Sequence, residues 1–495
     1  MKFLRTLAVI GCLAANLTRA GGEERNFWPV KVDQLDAAGH IRSWEAAGPL
    51  IFDHPAPENS RVGGVRPLYV RTWDANGMIT EASAVYPIFI YRADSDRYRW
   101  SVFNLINRDG RKHGETIYRA DRTESFDVWP FYFSRNTGSR ESSYRALFPI
   151  GGTIKDRFTF DRLSWVIWPL YFRTEKQGAT TTSVPWPFLR VTRGAEHGFA
   201  LWPLFGWKDR PERFHRTFYL WPLGWNNTVQ PPEDAPAGIA PTRQVGFLPF
   251  YTRDQSPGYI NENYGWPFFG YTDRTVPYRY HETRYFWPFF VQGRGDGYYV
   301  NRWGPFYTHS VMKGTDKRWF MWPLVKRTHW ADSRIDQTKT QFLWFLYFSI
   351  EQRSVTNPQA APADRTHVWP FFSKWDNGAG RKQFQLLSPF DEFFPTNEEM
   401  RNSWTPLFAL YRSDTSGPEN RRWSALWSAV TWRRDGPERE FHLGPLFSLQ
   451  SDAVQKRVAI GSGLFGWKRD PGAARSRLFM FDFPAKPRRL STASP

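Results

Sequence analysis

One cysteine, Cys12, occurs in 495 residues. An intramolecular disulfide and a cysteine-built zinc site are therefore excluded. No run of 18 apolar residues exists anywhere in the chain, which excludes a bundle of membrane-spanning helices. The ten histidines include no pair at i, i+4 and no His-Glu-x-x-His. There is also no Gly-x-Ser-x-Gly elbow and no phosphate-binding glycine loop. No catalytic residue, metal ligand or cofactor site is expected from these absences, and the chain reads as a non-enzyme. Acid is short as well: 48 Asp and Glu face 66 Lys and Arg, leaving a net charge of +18. Lysine is scarce, 15 against 51 arginines, so most of the positive charge sits on planar guanidinium groups that stack on rings and grip anions.

Aromatic residues are abundant, at 18% with 26 Trp, which argues against a disordered chain. The 38 prolines and 37 glycines are spread along the sequence and argue against a mostly helical fold. The N-terminus reads as an address. Lys2 and Arg5 precede the apolar run Leu7–Leu17, and Ala20 offers a small residue before Gly21-Gly22. This is the layout of a secretory signal over residues 1–20. Val9-Ile10-Gly11-Cys12 resembles a bacterial lipobox, which makes Cys12 a candidate lipidation site. Export to the outer membrane or another extracytoplasmic part of a bacterial cell envelope is the expected destination.

The strongest signal is an internal repeat of about twenty residues. Its core is aromatic-Pro-apolar-aromatic, most often Trp-Pro-Leu/Phe-Phe/Tyr. The clearest copies are Trp129-Pro130, Trp168-Pro169, Trp202-Pro203, Trp221-Pro222, Trp266-Pro267, Trp287-Pro288, Trp322-Pro323 and Trp369-Pro370, with further copies at Trp28-Pro29 and Trp186-Pro187. Degenerate versions such as Arg66-Pro67-Leu68-Tyr69 and Leu248-Pro249-Phe250-Tyr251 fill the gaps. Each unit opens on polar turn residues, continues with alternating residues such as Arg97-Tyr98-Arg99-Trp100, and then reaches the Trp-Pro core. Alternation between turn signals, with aromatic enrichment, reads as strands.

The expectation is an all-β fold of about twenty antiparallel strand units, barrel-like, with a soluble β-repeat stack or a propeller as alternatives. Residues 21–60 form a lead-in, 61–483 the aromatic-proline repeat domain, and 484–495 a basic tail. Proline cannot donate to a strand ladder. Either every strand bends at its Trp-Pro, or the Trp-Pro marks a corner between two shorter strands. In His197–Lys208 both parities are apolar at the middle of the unit, and charge gathers towards the ends, which predicts an apolar belt between charged rims. Arg477–Phe483 is similar to the aromatic-alternating last strand of bacterial outer-membrane barrels, although the tail after it departs from that pattern.

These readings point to a structural, pore-like or surface-binding envelope protein. Its partners would be outer-membrane lipid or lipopolysaccharide, with an anionic glycan as a further candidate. A soluble glycan- or polyanion-binding protein is the alternative, and nucleic acid is not expected after export. The Trp-Pro residues are assigned a packing role. The carboxylate pairs Asp391-Glu392 and Glu398-Glu399 point to opposite faces if on strands, and read as solvated loops.

Overall fold

A computed structural model describes residues 23–483, apart from 37, 113–122, 233, 234, 236, 237, 392, 395, 453, 454 and 470–474. The signal region with Cys12 and Ala20, and the tail 484–495, lie outside the described residues. The chain is almost entirely β: 45 strands run from β1 (Glu24–Phe27) to β45 (Arg477–Met480). The only described helices are Glu398–Ser403, Thr405–Phe408 and a short turn at Gly461–Gly463.

Two compact units can be distinguished. The first contains the chain up to Asp94, Ser333–Gln337, and the chain from Phe345 on. The second contains Ser95–Asp332 and Thr338–Trp344. This division falls inside the segment 61–483 that the repeat delimits. Within each unit, successive strands pair antiparallel with their sequence neighbours, as in Glu24–Phe27 with Lys31–Leu35 and in Phe205–Arg210 with Phe214–Tyr219. In the first unit β1 pairs with β2 (Lys31–Leu35) and β45 with β44 (Phe465–Arg469), and no described pairing joins β1 to β45. The meander is open at these ends, so closure into a barrel does not occur among the described residues.

The repeat of about twenty residues is one hairpin, not one strand. Strands are 4 to 8 residues long, and the Trp-Pro sits at the corner between two of them. The second of the two sequence readings of proline therefore holds. The apolar-belt expectation needs the matching correction: the apolar residues cluster at one end of each hairpin, and charge gathers at the other. Strands form because aromatic and β-branched side chains alternate with polar ones. At the charged end, turns such as Gln177-Gly178 and Lys313-Gly314 have both central residues at positive φ, the geometry that matches the twist of a tight hairpin.

The core is thin. In the second unit Phe133, Tyr144, Ala146, Ile154 and Trp165 are buried together. The Trp165 indole N–H donates to the Leu147 carbonyl at 3.2 Å, so its one polar group is satisfied. In the first unit Phe52, Val62 and Val70 form a smaller cluster. Elsewhere rings lie across glycines on the next strand. Gly206 faces Phe218, Gly246 faces Trp225 and Gly466 faces Phe479 in direct register. A Cβ at any of these glycines would fall inside the facing ring, so the ring uses the space that the missing side chain leaves.

Candidate functional surface

The predicted Trp-Pro residues come together along one end of the hairpins. The Phe131 N–H donates to the Val128 carbonyl at 2.7 Å, and Leu170 to Ile167, Leu204 to Leu201 and Leu223 to Leu220 at 2.8 Å. Proline is the third residue of these four-residue turns, and all ten Trp-Pro bonds are cis. That arrangement is a type VI turn. A missing N–H does no harm at a corner, because no ladder bond is due there.

Neighbouring turns are also hydrogen-bonded to each other. The Trp168 N–H donates to the Pro149 carbonyl at 2.8 Å, Trp186 to Pro169 at 2.8 Å, Trp221 to Pro203 at 2.7 Å and Trp322 to Pro305 at 2.6 Å. At these turns main-chain groups are used internally and the side chains are left to form the surface. The rings touch in sequence. Centroids lie 5.3 Å apart for Phe148–Trp168, 5.5 Å for Trp168–Trp186, 5.8 Å for Phe188–Trp202 and 5.7 Å for Trp202–Trp221. The two runs, Phe148–Trp168–Trp186 and Phe188–Trp202–Trp221, meet at one turn, which carries both Trp186 and Phe188.

This rim is apolar and open. Trp129 is 53% exposed, Ile150 63%, Phe250 66% and Phe306 65%. The first strand residues above it extend the apolar zone on one face. Leu201, Phe205, Tyr219, Phe247, Tyr264 and Phe269 are exposed and lie in one row across the strands by register, with Gly224 between Tyr219 and Phe247 and Tyr251 between Phe247 and Tyr264. Further along the strands the same face becomes ionic. Arg173 pairs with Glu175 and His215 with Asp209, while on the opposite face Lys208 and Arg210 pair with Glu196. At roughly 3.3 Å per residue, the turn and one row make an apolar zone on the order of 10 Å deep. The predicted packing role of the Trp-Pro residues is thus half the account: they pack against one another and also form a surface.

The first unit holds a second feature, a buried ionic interior that no sequence pattern announced. The Arg422 Nε donates to Glu24 Oε2 at 2.9 Å, and the Glu24 main-chain N–H donates to Glu440 Oε2 at 3.0 Å. Asn26 Nδ2 donates to the Ser428 carbonyl at 2.7 Å. Nearby, Arg66 lies 3.5 Å above the Phe52 ring. It donates to Glu45 Oε1 at 3.3 Å and to the Pro49 and Asn402 carbonyls at 2.7 Å each. Burial acts to raise the Glu45 carboxyl, but the His54 hydrogen bond and the Arg66 guanidinium outweigh it and hold the pKa at about 2. For Glu24, too, burial is outweighed, by Arg422 and then His442, and its pKa is lowered. A small cleft of about 30 Å³, lined by Glu24, Asn26, His442, Ser448 and Arg457 among others, adjoins this interior. It has room for about one water.

The carboxylates singled out in sequence take fixed structural positions. Asp391 Oδ2 accepts from Ser373 and Ser388 hydroxyls at 2.9 and 2.8 Å, and Glu399 pairs with Arg92. Glu392 lies outside the described residues. Among the described residues no cluster of three His, Cys, Asp or Glu side chains is arranged to hold a metal ion. No protein-family model matches the chain, and no similar curated protein is found.

Proposed function

We propose that this is a non-catalytic, exported β-repeat protein of the cell envelope that attaches to a lipid surface through its Trp-Pro rim. The observation that carries the reading is the direction of polarity. It runs along the strands, from an aromatic end to an ionic end. A six-residue strand is about 20 Å long, whereas a bilayer-crossing strand needs roughly nine to eleven residues. A zone on the order of 10 Å deep suits insertion into one leaflet, the depth at which interfacial apolar faces lie. Trp side chains favour that interface because one end of the indole is apolar and the other donates a hydrogen bond. Internally bonded turns support the same reading, since a main-chain group entering hydrocarbon must carry its own partner.

The test is flotation of the full-length protein with lipid vesicles, alongside a Leu204→Ser, Trp221→Ser, Phe250→Ser variant of the rim. The wild type is expected to float and the variant to stay in the dense fraction. A wild type that stays with the variant overturns the reading. A Cys12→Ala form separates rim attachment from a lipid anchor. The glycan-binding alternative draws support from an open cleft of about 280 Å³ at the ionic end, lined by Gln255, Tyr259, Asp273 and Thr275 among others. Retention on a glycan array without vesicle flotation would favour it.

A further inference from the structure

Behind the aromatic rim of the second unit lies a patch of lysines on one strand face. Lys326 is the second residue of the strand Val325–Ala331, which leaves the rim turn Met321–Leu324. It stands directly across from Trp319 on the strand Thr315–Phe320, with its ammonium 4.8 Å from the ring centroid. Lys317 lies two residues from Trp319, on the same face, and is exposed. Its direct neighbours are Ser310 on one side and Thr328 on the other. Diagonal partners on adjacent strands are about 7–8 Å apart, so the two lysines lie close together with the Thr328 hydroxyl adjoining both, and Ser310 stands on the far side of Lys317.

The acidic neighbour Asp316 points to the opposite face, where it pairs with His309 and Arg318. Among the described residues neither Lys317 nor Lys326 has a carboxylate partner. Burial, then the positive charges of Lys317 and Lys339, lower the Lys326 pKa. Two ammonium groups side by side on one face, with no carboxylate partner among the described residues, leave a place suited to an anion. Hydroxyls beside ammonium groups are donors suited to the oxygens of a phosphate.

Height along the strand points to the source of that phosphate. Lys326 is two residues from the rim turn and Lys317 four residues. At roughly 3.3 Å per residue this puts them on the order of 7–13 Å above the tips. A rim inserted to the depth of its apolar zone would bring this level to the lipid headgroups. We infer that Lys317 and Lys326, with Thr328 adjoining both, form a seat for the phosphate of an anionic lipid headgroup. The assignment rests on the lipid-surface reading above and adds to it a headgroup preference.

Vesicle flotation with full-length protein tests it, using phosphatidylcholine alone and phosphatidylcholine with phosphatidic acid. Phosphatidic acid is expected to tighten wild-type binding, by about fivefold for each lysine engaged. A Lys317→Gln, Lys326→Gln variant should lose that gain and keep its binding to phosphatidylcholine. A Lys317→Arg, Lys326→Arg variant should keep the gain. An unchanged gain in the Gln variant overturns the seat while leaving the lipid reading intact. Wild type that floats with neither vesicle removes the lipid reading, and the seat with it. Inorganic phosphate supplies the third arm, read by tryptophan fluorescence because Trp319 lies beside Lys326. A phosphate response lost in the Gln variant, without any effect of phosphatidic acid, assigns the lysines to a free anion and overturns the headgroup assignment.

Discussion

The two units hold themselves together differently. In the second, described side-chain hydrogen bonds join residues no more than 33 apart in sequence, the longest being Arg210 to Gln177. Each hairpin leans on its neighbours. In the first, Glu24 and Glu440 are 416 residues apart, Arg422 and Glu24 398, and Arg66 and Asn402 336. The short helix Glu398–Ser403 adds to this: Trp404, at its end, donates its indole N–H to the Tyr86 carbonyl at 2.8 Å. A unit of the first kind behaves as an array, with stability close to a sum of local terms. One of the second kind gains or loses its distant contacts together.

The sharpest way to break this contrast is a pair of core substitutions followed by hydrogen exchange. Trp165→Ala, in the array, should cost about 4 kcal/mol. Lost protection should stay within the strands Tyr144–Leu147 to Tyr171–Lys176. Loss that spreads through the whole second unit would contradict its array character. Arg66→Met should cost about 3 kcal/mol by leaving Glu45 buried without its guanidinium. Here protection should fall at Ile51–Pro55 and also at Glu398–Ser403, although the two are distant in sequence. An effect confined to one of them would show that the distant contacts do not act together.

Acid should divide the units more gently. The folded pKa values of Glu45, at about 2, and of Glu24 lie below the ordinary carboxylate value of 4.5. Their contribution is therefore complete above pH 4.5 and drains away as pH falls towards 2. Between pH 7 and pH 3, amide protection should drop more in Glu24–Ala46 than in Gly151–Arg210. Equal loss in both segments would remove the ionic interior as the distinguishing feature. The smallest effect is expected at the ionic end of the array. Lys208→Ala removes an exposed lysine from Glu196, which keeps Arg210, and should change stability by no more than about 0.5 kcal/mol. A Tm shift of several degrees would show that this end is more than a solvated edge.

Much of the architecture was legible in the sequence. The repeat, the antiparallel pairing and the near absence of helix follow from alternation and from the spacing of the Trp-Pro pairs. The position of those pairs was less so. A period of about twenty residues fits one long strand with a bend or two short strands with a corner. In His197–Lys208 the apolar residues occupy both parities because the segment passes through a corner, from Leu201 to Phe205, and not because a sheet is covered on both sides. The ionic interior could not be read at all. Alternation places Glu24 and Asn26 on one face of a strand, but it carries no information about which strand, four hundred residues away, will meet that face. The lysine seat falls between these cases. Lys326 and Thr328 share a face by simple alternation, while the approach of Lys317 requires the register of the neighbouring strand.

The glycines that lie under rings have a consequence for how such a chain can change. Trp225 and Gly246, or Phe218 and Gly206, together fill one volume, nearly all of it supplied by a single member of the couple. A larger residue at the glycine is admissible only where the ring shrinks with it, so the two positions are expected to vary jointly across descendants of this sequence. The same couples act as keys for alignment. Sliding one strand by a residue would remove the ring from its recess and set side chain against side chain. In a meander of near-identical hairpins, where many slipped pairings would otherwise look alike, these unequal couples tell each strand where along its neighbour it belongs.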